Sequence, residues 1–257
     1  MSKSNSNRDR REQVEQMRRD ARAKERRRTL VIVAACVAVA LIIIGGVVYT
    51  YLQEQDEKNA LRDSALDDIG ADAESARCAA IEEEDASGAG NHTTDRVDYD
   101  VQPPSFGPHN PSPADLGIHQ YDETDRPETE RLVHNLEHGW TIVWYDDTVA
   151  DDSEQMKVLD ATADKFDAEG NNPEFNMIIA PWTSDDGSEI PDGKHIALTH
   201  WSIHQPVYDE KNYQDEPPSF GVSQYCDSFS GGVLDDFMTE YPYDDAPEGY
   251  LWHQSGG

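Results

Sequence analysis

Two histidines lie four residues apart in the segment HNLEH, residues 134–138. On a helix, this spacing places both imidazoles on one face. Two imidazoles so placed can bind one divalent transition metal ion when a further ligand comes from elsewhere in the fold. His109, in a proline-rich loop, is the nearest candidate along the chain, and Glu137 can act as a ligand or orient one. The pattern predicts a copper or zinc site made of His109, His134, Glu137 and His138.

Two other interpretations of the same segment stay open. In the first, the histidines brace the proline-rich loop through hydrogen bonds and bind no metal. In the second, the segment is the H-x-x-E-H pattern of inverzincin metalloproteases, in which two histidines bind zinc and the glutamate activates water. The protease is the least favoured, because Gly139 ends the helix at once and no further carboxylate ligand presents itself on a later helix.

Other catalytic patterns are missing from the sequence. It contains no glycine-rich phosphate loop, no G-x-S-x-G nucleophile elbow and no C-x-x-C pair. We therefore assign no catalytic residue and no cofactor other than the metal, and favour a non-enzymatic role.

The elements that must position the histidines can be predicted from their flanks. Pro127 suits the first position of a helix, residues 132, 133 and 136 form a short apolar stripe, and Gly139 suits the position after the last turn. These signals predict a helix over residues 127–138. Before it, residues 88–127 are dense in Pro, Asn, Asp and Gly, which predicts a long ordered loop, and such loops are often functional.

The rest of the domain shows alternating strand and helix patterns. Strands are predicted over residues 140–145, 177–182 and 195–201, and helices over residues 151–168 and 234–241. The tryptophans and tyrosine of these segments are expected to pack in and around the sheet. The fold class is therefore α+β, a small sheet with packed helices and a long Pro-rich loop.

An uncharged segment over residues 29–53 predicts one transmembrane helix, since 25 residues span roughly 37 Å at ~1.5 Å per residue. A cleaved signal peptide would have a shorter apolar stretch, and the lipobox-like residues 33–36 follow too few apolar residues. Residues 1–28 carry eleven Lys or Arg against five Asp or Glu, which predicts a cytoplasmic tail. The rest would lie outside the cell membrane as a stalk, residues 54–87, and a globular domain, residues 88–257.

Charge indicates which partners are expected, and the cysteines indicate a disulfide. Residues 29–257 hold ten basic and 47 acidic side chains, a net charge of −37, so nucleic acid is not an expected partner. The acidity is typical of a solvated surface. Cys78 and Cys226 both follow the predicted span, where the compartment permits oxidation, and predict one disulfide.

Two blocks of the sequence resemble a known family. The segments PPSFGPH, residues 103–109, and ERLVHNLEHG, residues 130–139, are similar to the PP-x-x-GPH loop and VH-x-LEHG block of a bacterial envelope family catalogued as domain of unknown function 3105. The resemblance covers roughly residues 90–230. It implies one N-terminal membrane span and an origin of the kind common in actinobacteria, and it carries no established activity.

The chain departs from the family pattern in two places. The Asn-Cys-Gly expected ahead of the LEHG block is replaced around residues 115–117, which leaves Cys78 as the exported partner for Cys226. The Trp-Gly-Arg expected late in the domain is replaced by Trp-Ser-Ile at residues 201–203. Any role of that arginine is therefore absent here.

Two functions compete at this stage. The first is an extracytoplasmic protein that binds or handles a transition metal through His109, His134 and His138. The second is a non-catalytic accessory subunit of an envelope or respiratory membrane complex, in which the span and stalk contact membrane-protein partners and the histidine segment braces the fold.

Overall fold

The computed structural model describes residues 3–170, 172–204 and 218–249. The chain divides into two compact units, Met1–Asp56 and Glu57–Gly257. Helix α1 runs over Lys3–Asp63, and its side chains from residue 11 to residue 56 are exposed, including the apolar ones. Among the described residues, it is the one helix long and apolar enough to cross a membrane. It contains the predicted span of residues 29–53.

The second unit is built on a five-stranded sheet. Its strands are β1 (Glu82–Asp85), β2 (Thr141–Tyr145), β3 (Met177–Pro181), β4 (Ile196–Ser202) and β5 (Phe220–Cys226). Their order across the sheet is β1-β5-β4-β2-β3. Only the β2–β3 pair is parallel, as expected for two strands joined through a helix, and the other pairs are antiparallel.

Helices cover both faces of the sheet. They are α2 (Thr129–Glu137), α3 (Asp147–Ala150), α4 (Ser153–Ala168) and α5 (Gly231–Glu240), with short 3₁₀ turns at Leu66–Asp68, Pro173–Phe175, Pro191–Gly193 and Tyr243–Asp245. Alternate strand residues point to opposite faces. One face packs against α4 and α5, and the other packs against α2 and the proline-rich loop. The predicted α+β class with a small sheet and packed helices is confirmed.

Part of the segment that precedes residue 88 belongs to the second compact unit. The compact unit starts at Glu57, and residues 82–85 form the edge strand β1 paired with β5. The disulfide between Cys78 and Cys226 joins the same two segments. The strand was missed because Glu-Glu-Glu-Asp has no apolar alternation, although a charged edge strand protects a sheet against pairing with other chains.

Strand β5, which begins at Phe220 and Gly221, is also absent from the predicted strands. The other predicted elements match within a few residues, including the strand at 195–201 and the helix at 234–241. The predicted aromatic residues of the sheet are buried.

Candidate metal centre

Gly139 ends α2 and sets the position of a distant segment. Its φ of +85° lies in the left-handed region that favours glycine. A Cβ at this position would lie 1.9 Å from the carbonyl oxygen of Tyr243, so the backbone near residue 243 passes directly over the helix end. Five residues later, the backbone N–H of Glu248 donates to the carbonyl of Glu137 at 2.9 Å. The helix end thereby brings Glu248 beside the histidine segment.

Buried polar side chains of α2 hold the proline-rich loop. The carboxylate of Glu130 accepts a hydrogen bond from the backbone N–H of Val97 at 2.7 Å. The amide oxygen of Asn135, which is fully buried, accepts from the N–H of Ala114 at 2.8 Å. The loop therefore has few ladder bonds of its own but is fixed from the helix, as buried backbone donors require.

The loop also places His92 beside His109. The N–H of Thr93 donates to the carbonyl of His109 at 2.7 Å, and the N–H of His109 donates to the carbonyl of Asn91 at 3.0 Å. The two imidazole rings meet edge to face with centroids 4.9 Å apart. This isolated two-residue bridge is parallel, and it places the two rings side by side.

Two of the histidines have their tautomer set by backbone carbonyls. His109 Nδ1 lies 2.8 Å from the carbonyl oxygen of Gly107, and His134 Nδ1 lies 2.6 Å from that of Asn110. Because a carbonyl oxygen only accepts, each Nδ1 carries the proton, and in the neutral ring the lone pair is on Nε2. Histidines that bind metals are usually held in this way, with the second ring nitrogen donating to a carbonyl or carboxylate.

The Nε2 atoms face other donor atoms at short range. His109 Nε2 lies 3.0 Å from Glu137 Oε2, and His134 Nε2 lies 2.9 Å from His138 Nε2. The His109–Glu137 pair is within ion-pair distance, yet neither atom makes a hydrogen bond of acceptable geometry. Both residues offer a donor atom to one group whose atoms all lie within 4.8 Å of one another, so they border a shared space. A cation in that space would satisfy both.

The surroundings shift the pKa values of His134 and His109 in opposite directions. Burial lowers the pKa of His134, and the neighbouring His138 and His109 lower it further, which favours the neutral ring. Burial also lowers the pKa of His109, but the carboxylate of Glu137 outweighs it and the net direction is upward. A positive charge next to Glu137 is therefore favourable, whether a proton or a metal ion carries it.

His138 connects the cluster to Glu248. Its Nε2 lies 3.2 Å from Glu248 Oε2, and this contact is the first cause of a lowered pKa for the Glu248 carboxyl. The Glu248 side chain is 38% exposed, and that of His138 is 17% exposed. This side of the cluster opens to solvent, whereas His109 is fully buried.

Six residues thus form the histidine cluster: His92, His109, His134, Glu137, His138 and Glu248. Their donor atoms fall into two sets, each with all atoms within 4.8 Å of one another. The first set is His92, His109, His134 and Glu137, and the second is Glu137, His138 and Glu248.

The structure brings together all four residues predicted from the sequence and adds two. His92 was missed because it stands alone in a segment without regular structure, although its position near the start of the proline-rich loop was a weak signal. Glu248 was missed because it lies in an acidic segment where one carboxylate cannot be told from the others.

Fold and cluster define a class: an α+β domain behind a candidate membrane-spanning helix, with a half-buried group of histidines and carboxylates at one helix end. The chain belongs to the family described as Protein of unknown function (DUF3105), which matches residues 91–251. All six residues of the histidine cluster lie inside the matched span. No curated protein and no solved structure matches the chain.

Proposed function

We propose that this protein binds a transition metal ion outside the cell membrane, at the set formed by His92, His109, His134 and Glu137. The observation that carries the proposal is the pair of Nε2 atoms on His109 and His134. Each is oriented by a carbonyl bonded to the other ring nitrogen, and each faces a further donor of the cluster.

The donor chemistry favours zinc or copper. Three imidazoles and one carboxylate are the ligands of Zn²⁺ and Cu²⁺, whereas Mg²⁺ and Ca²⁺ prefer oxygen ligands. The exposed ring of His92 leaves a route by which an ion can enter from solvent. The acidic surface of the protein would add weak, non-selective binding of any dication, and the experiment must separate the two.

The test is zinc retention by the full-length chain, purified in detergent without a histidine tag. After treatment with a chelator, the protein is titrated with Zn²⁺ in a large excess of Mg²⁺, which occupies the surface carboxylates but not the imidazoles. We expect tight zinc binding that is lost in His134→Ala and falls at least 100-fold in His109→Ala. Elemental analysis before stripping identifies the metal carried from the cell.

His195→Ala is the matched control. His195 also pairs with a carboxylate, its Nδ1 lying 2.8 Å from Asp146 Oδ2, but it belongs to neither donor set. Its loss removes one imidazole and one histidine–carboxylate pair without touching the cluster, so zinc binding should be unchanged. A wild-type chain that retains no zinc under these conditions would leave the histidines a structural role.

We further propose that α1 crosses the cell membrane with residues 1–28 in the cytoplasm and the α+β domain outside. The positive flank of the apolar segment and the disulfide, which suggests an oxidising compartment, support this orientation. A reporter enzyme that works only outside the membrane should be active when fused after residue 257. An active cytoplasmic reporter at the same position would contradict the proposal.

A further inference from the structure

We propose that the histidine cluster holds two adjacent metal ions that share the carboxylate of Glu137, an inference that rests on the metal binding proposed above. The first ion would lie among His92, His109, His134 and Glu137. The second would lie among Glu137, His138 and Glu248.

The sharing of Glu137 follows from the geometry of the two donor sets. Glu137 is the one residue that belongs to both, and a carboxylate has two oxygens, so it can bind one ion with each. His134 and His138 are separated by only 2.9 Å between Nε2 atoms, yet each belongs to a different set. Two ions bridged in this manner typically lie about 3.5–4 Å apart.

The two positions differ in the number of ligands. The first has four protein donors, which completes a tetrahedral site for zinc. The second has three, an arrangement in which zinc sites keep a fourth position for water or a substrate. Two of the three side chains of the second position are partly accessible to solvent, His138 at 17% and Glu248 at 38%. The open coordination position would therefore face solvent.

Backbone hydrogen bonds fix the segment that carries Glu248, a ligand of the second position. The N–H of Glu248 is bonded to the carbonyl of Glu137, and the N–H of Gly249 is bonded to the carbonyl of Ala246. Gly139 permits the close approach of residue 243 that leads into this turn. Glu248 is thus held beside His138 by the same glycine that ends α2.

The charge of the two carboxylates predicts which of the two metal positions fills first. Glu137 and Glu248 supply two negative charges, which neutralise one dication but not two. The first ion should therefore bind at the four-donor position, and the second should bind more weakly, with water or an anion in its open position. Zinc titration of the full-length chain in detergent should show two steps with different affinities.

The test is zinc stoichiometry in wild type and in Glu248→Gln, again with excess Mg²⁺. Wild type should bind about two ions, and Glu248→Gln should keep the tight step and lose the weak one. Glu83→Gln is the matched control, because Glu83 also faces a histidine, with 3.4 Å between Glu83 Oε1 and His204 Nε2, and lies outside the cluster. Equal unfolding curves for the two variants would show that both are folded.

The outcomes separate this inference from the proposed function. One tight ion in wild type, unchanged in Glu248→Gln, overturns the second position and leaves the proposed function standing. Two ions that both survive Glu248→Gln place the second ion elsewhere and also overturn the inference. No tight ion overturns both proposals.

Copper provides an independent measurement of proximity. Two Cu²⁺ ions bridged by Glu137 would couple magnetically, so the electron paramagnetic resonance signal should fall as the second equivalent is added. In Glu248→Gln the signal of the first equivalent should persist without that fall. A wild-type signal that grows in proportion through two equivalents would show isolated ions and overturn the shared carboxylate.

Discussion

The two faces of the sheet are packed with different kinds of side chain. The face covered by α4 and α5 is packed almost entirely with apolar side chains, and the disulfide closes its edge. The face covered by α2 and the proline-rich loop combines an aromatic core with buried histidines, carboxylates and amides. Trp201 shows the mixture, since its ring packs in the core and also meets His109 edge to face, with centroids 5.8 Å apart.

In this arrangement, one face stabilises the fold, and the other also positions the histidine cluster. Apolar burial stabilises roughly in proportion to area and needs no special partner. Buried polar groups cost free energy unless each is bonded, so the second face is stable only while the loop keeps its hydrogen bonds to α2. We expect substitutions on the first face to change stability alone, and those on the second to change zinc affinity as well.

The largest expected effect comes from a matched pair of leucines, one on each face. Leu159 of α4 and Leu136 of α2 are both fully buried. Leu159→Ala and Leu136→Ala should each lower the free energy of unfolding by about 2–5 kcal/mol, because each leaves a cavity. Urea unfolding with chelator present measures the loss.

Zinc separates the two leucine variants. Leu136 lies next to Glu137 on the helix that carries the cluster, so Leu136→Ala should also weaken zinc binding. Leu159→Ala should bind zinc as wild type does. Equal zinc affinities in the two variants would contradict the division between the faces.

Removing the disulfide should have the next largest effect. Cys78 and Cys226 are separated by 148 positions, and opening a loop of that length costs on the order of 4 kcal/mol in the chain-entropy model. We expect the double variant Cys78→Ala, Cys226→Ala to lose stability by up to this amount with zinc binding unchanged. Reductant should destabilise wild type but have no effect on the double variant. A loss of zinc affinity would show that the two faces are coupled.

Sequence patterns predicted most of the helices and strands but missed two strands. Strands β2, β3 and β4 and helices α2, α4 and α5 have clear apolar periodicity or capping signals, and each was found. Strand β1 is acidic and exposed, and β5 is interrupted by Gly221 and by polar residues, so neither shows a strand pattern. These two strands form through pairing with neighbours distant in sequence, which local patterns do not encode.

The site was predictable where it depended on one helix. The spacing of His134 and His138 indicates a shared face without any tertiary information. His92 and Glu248 reach the cluster through a two-residue bridge and through the close approach at Gly139, respectively. The first contact joins residues 92 and 109 and the second joins residues 139 and 243, so neither follows from the spacing of residues within one helix.

A histidine on the first face should give a smaller, pH-dependent effect. His200 is completely buried, and this burial lowers its pKa to about 4. The unfolded chain binds the proton near pH 6.5, so the stability contributed by neutral His200 is present above pH 6.5 and is lost as the pH falls toward 4. The loss amounts to about 3 kcal/mol in the limit.

Urea unfolding between pH 7 and pH 4.5, with chelator present, measures this dependence. His200→Gln should flatten the curve in that window, because the variant has no group to protonate there. Every other side chain is the same in both proteins, so its contribution cancels in the comparison. An identical pH dependence in wild type and His200→Gln would contradict the assignment.

The smallest expected effect is also the sharpest comparison, because the same atom is deleted on each face. The Tyr99 hydroxyl donates to the carbonyl of Pro108 at 2.8 Å, one residue before His109. The Tyr241 hydroxyl donates to Glu83 at 3.0 Å. Tyr99→Phe and Tyr241→Phe should each cost about 1 kcal/mol of stability. Only Tyr99→Phe should weaken zinc binding, by a few-fold, because only that hydroxyl positions a ligand. A Tyr99→Phe protein with wild-type zinc affinity would show that the loop holds His109 without this bond.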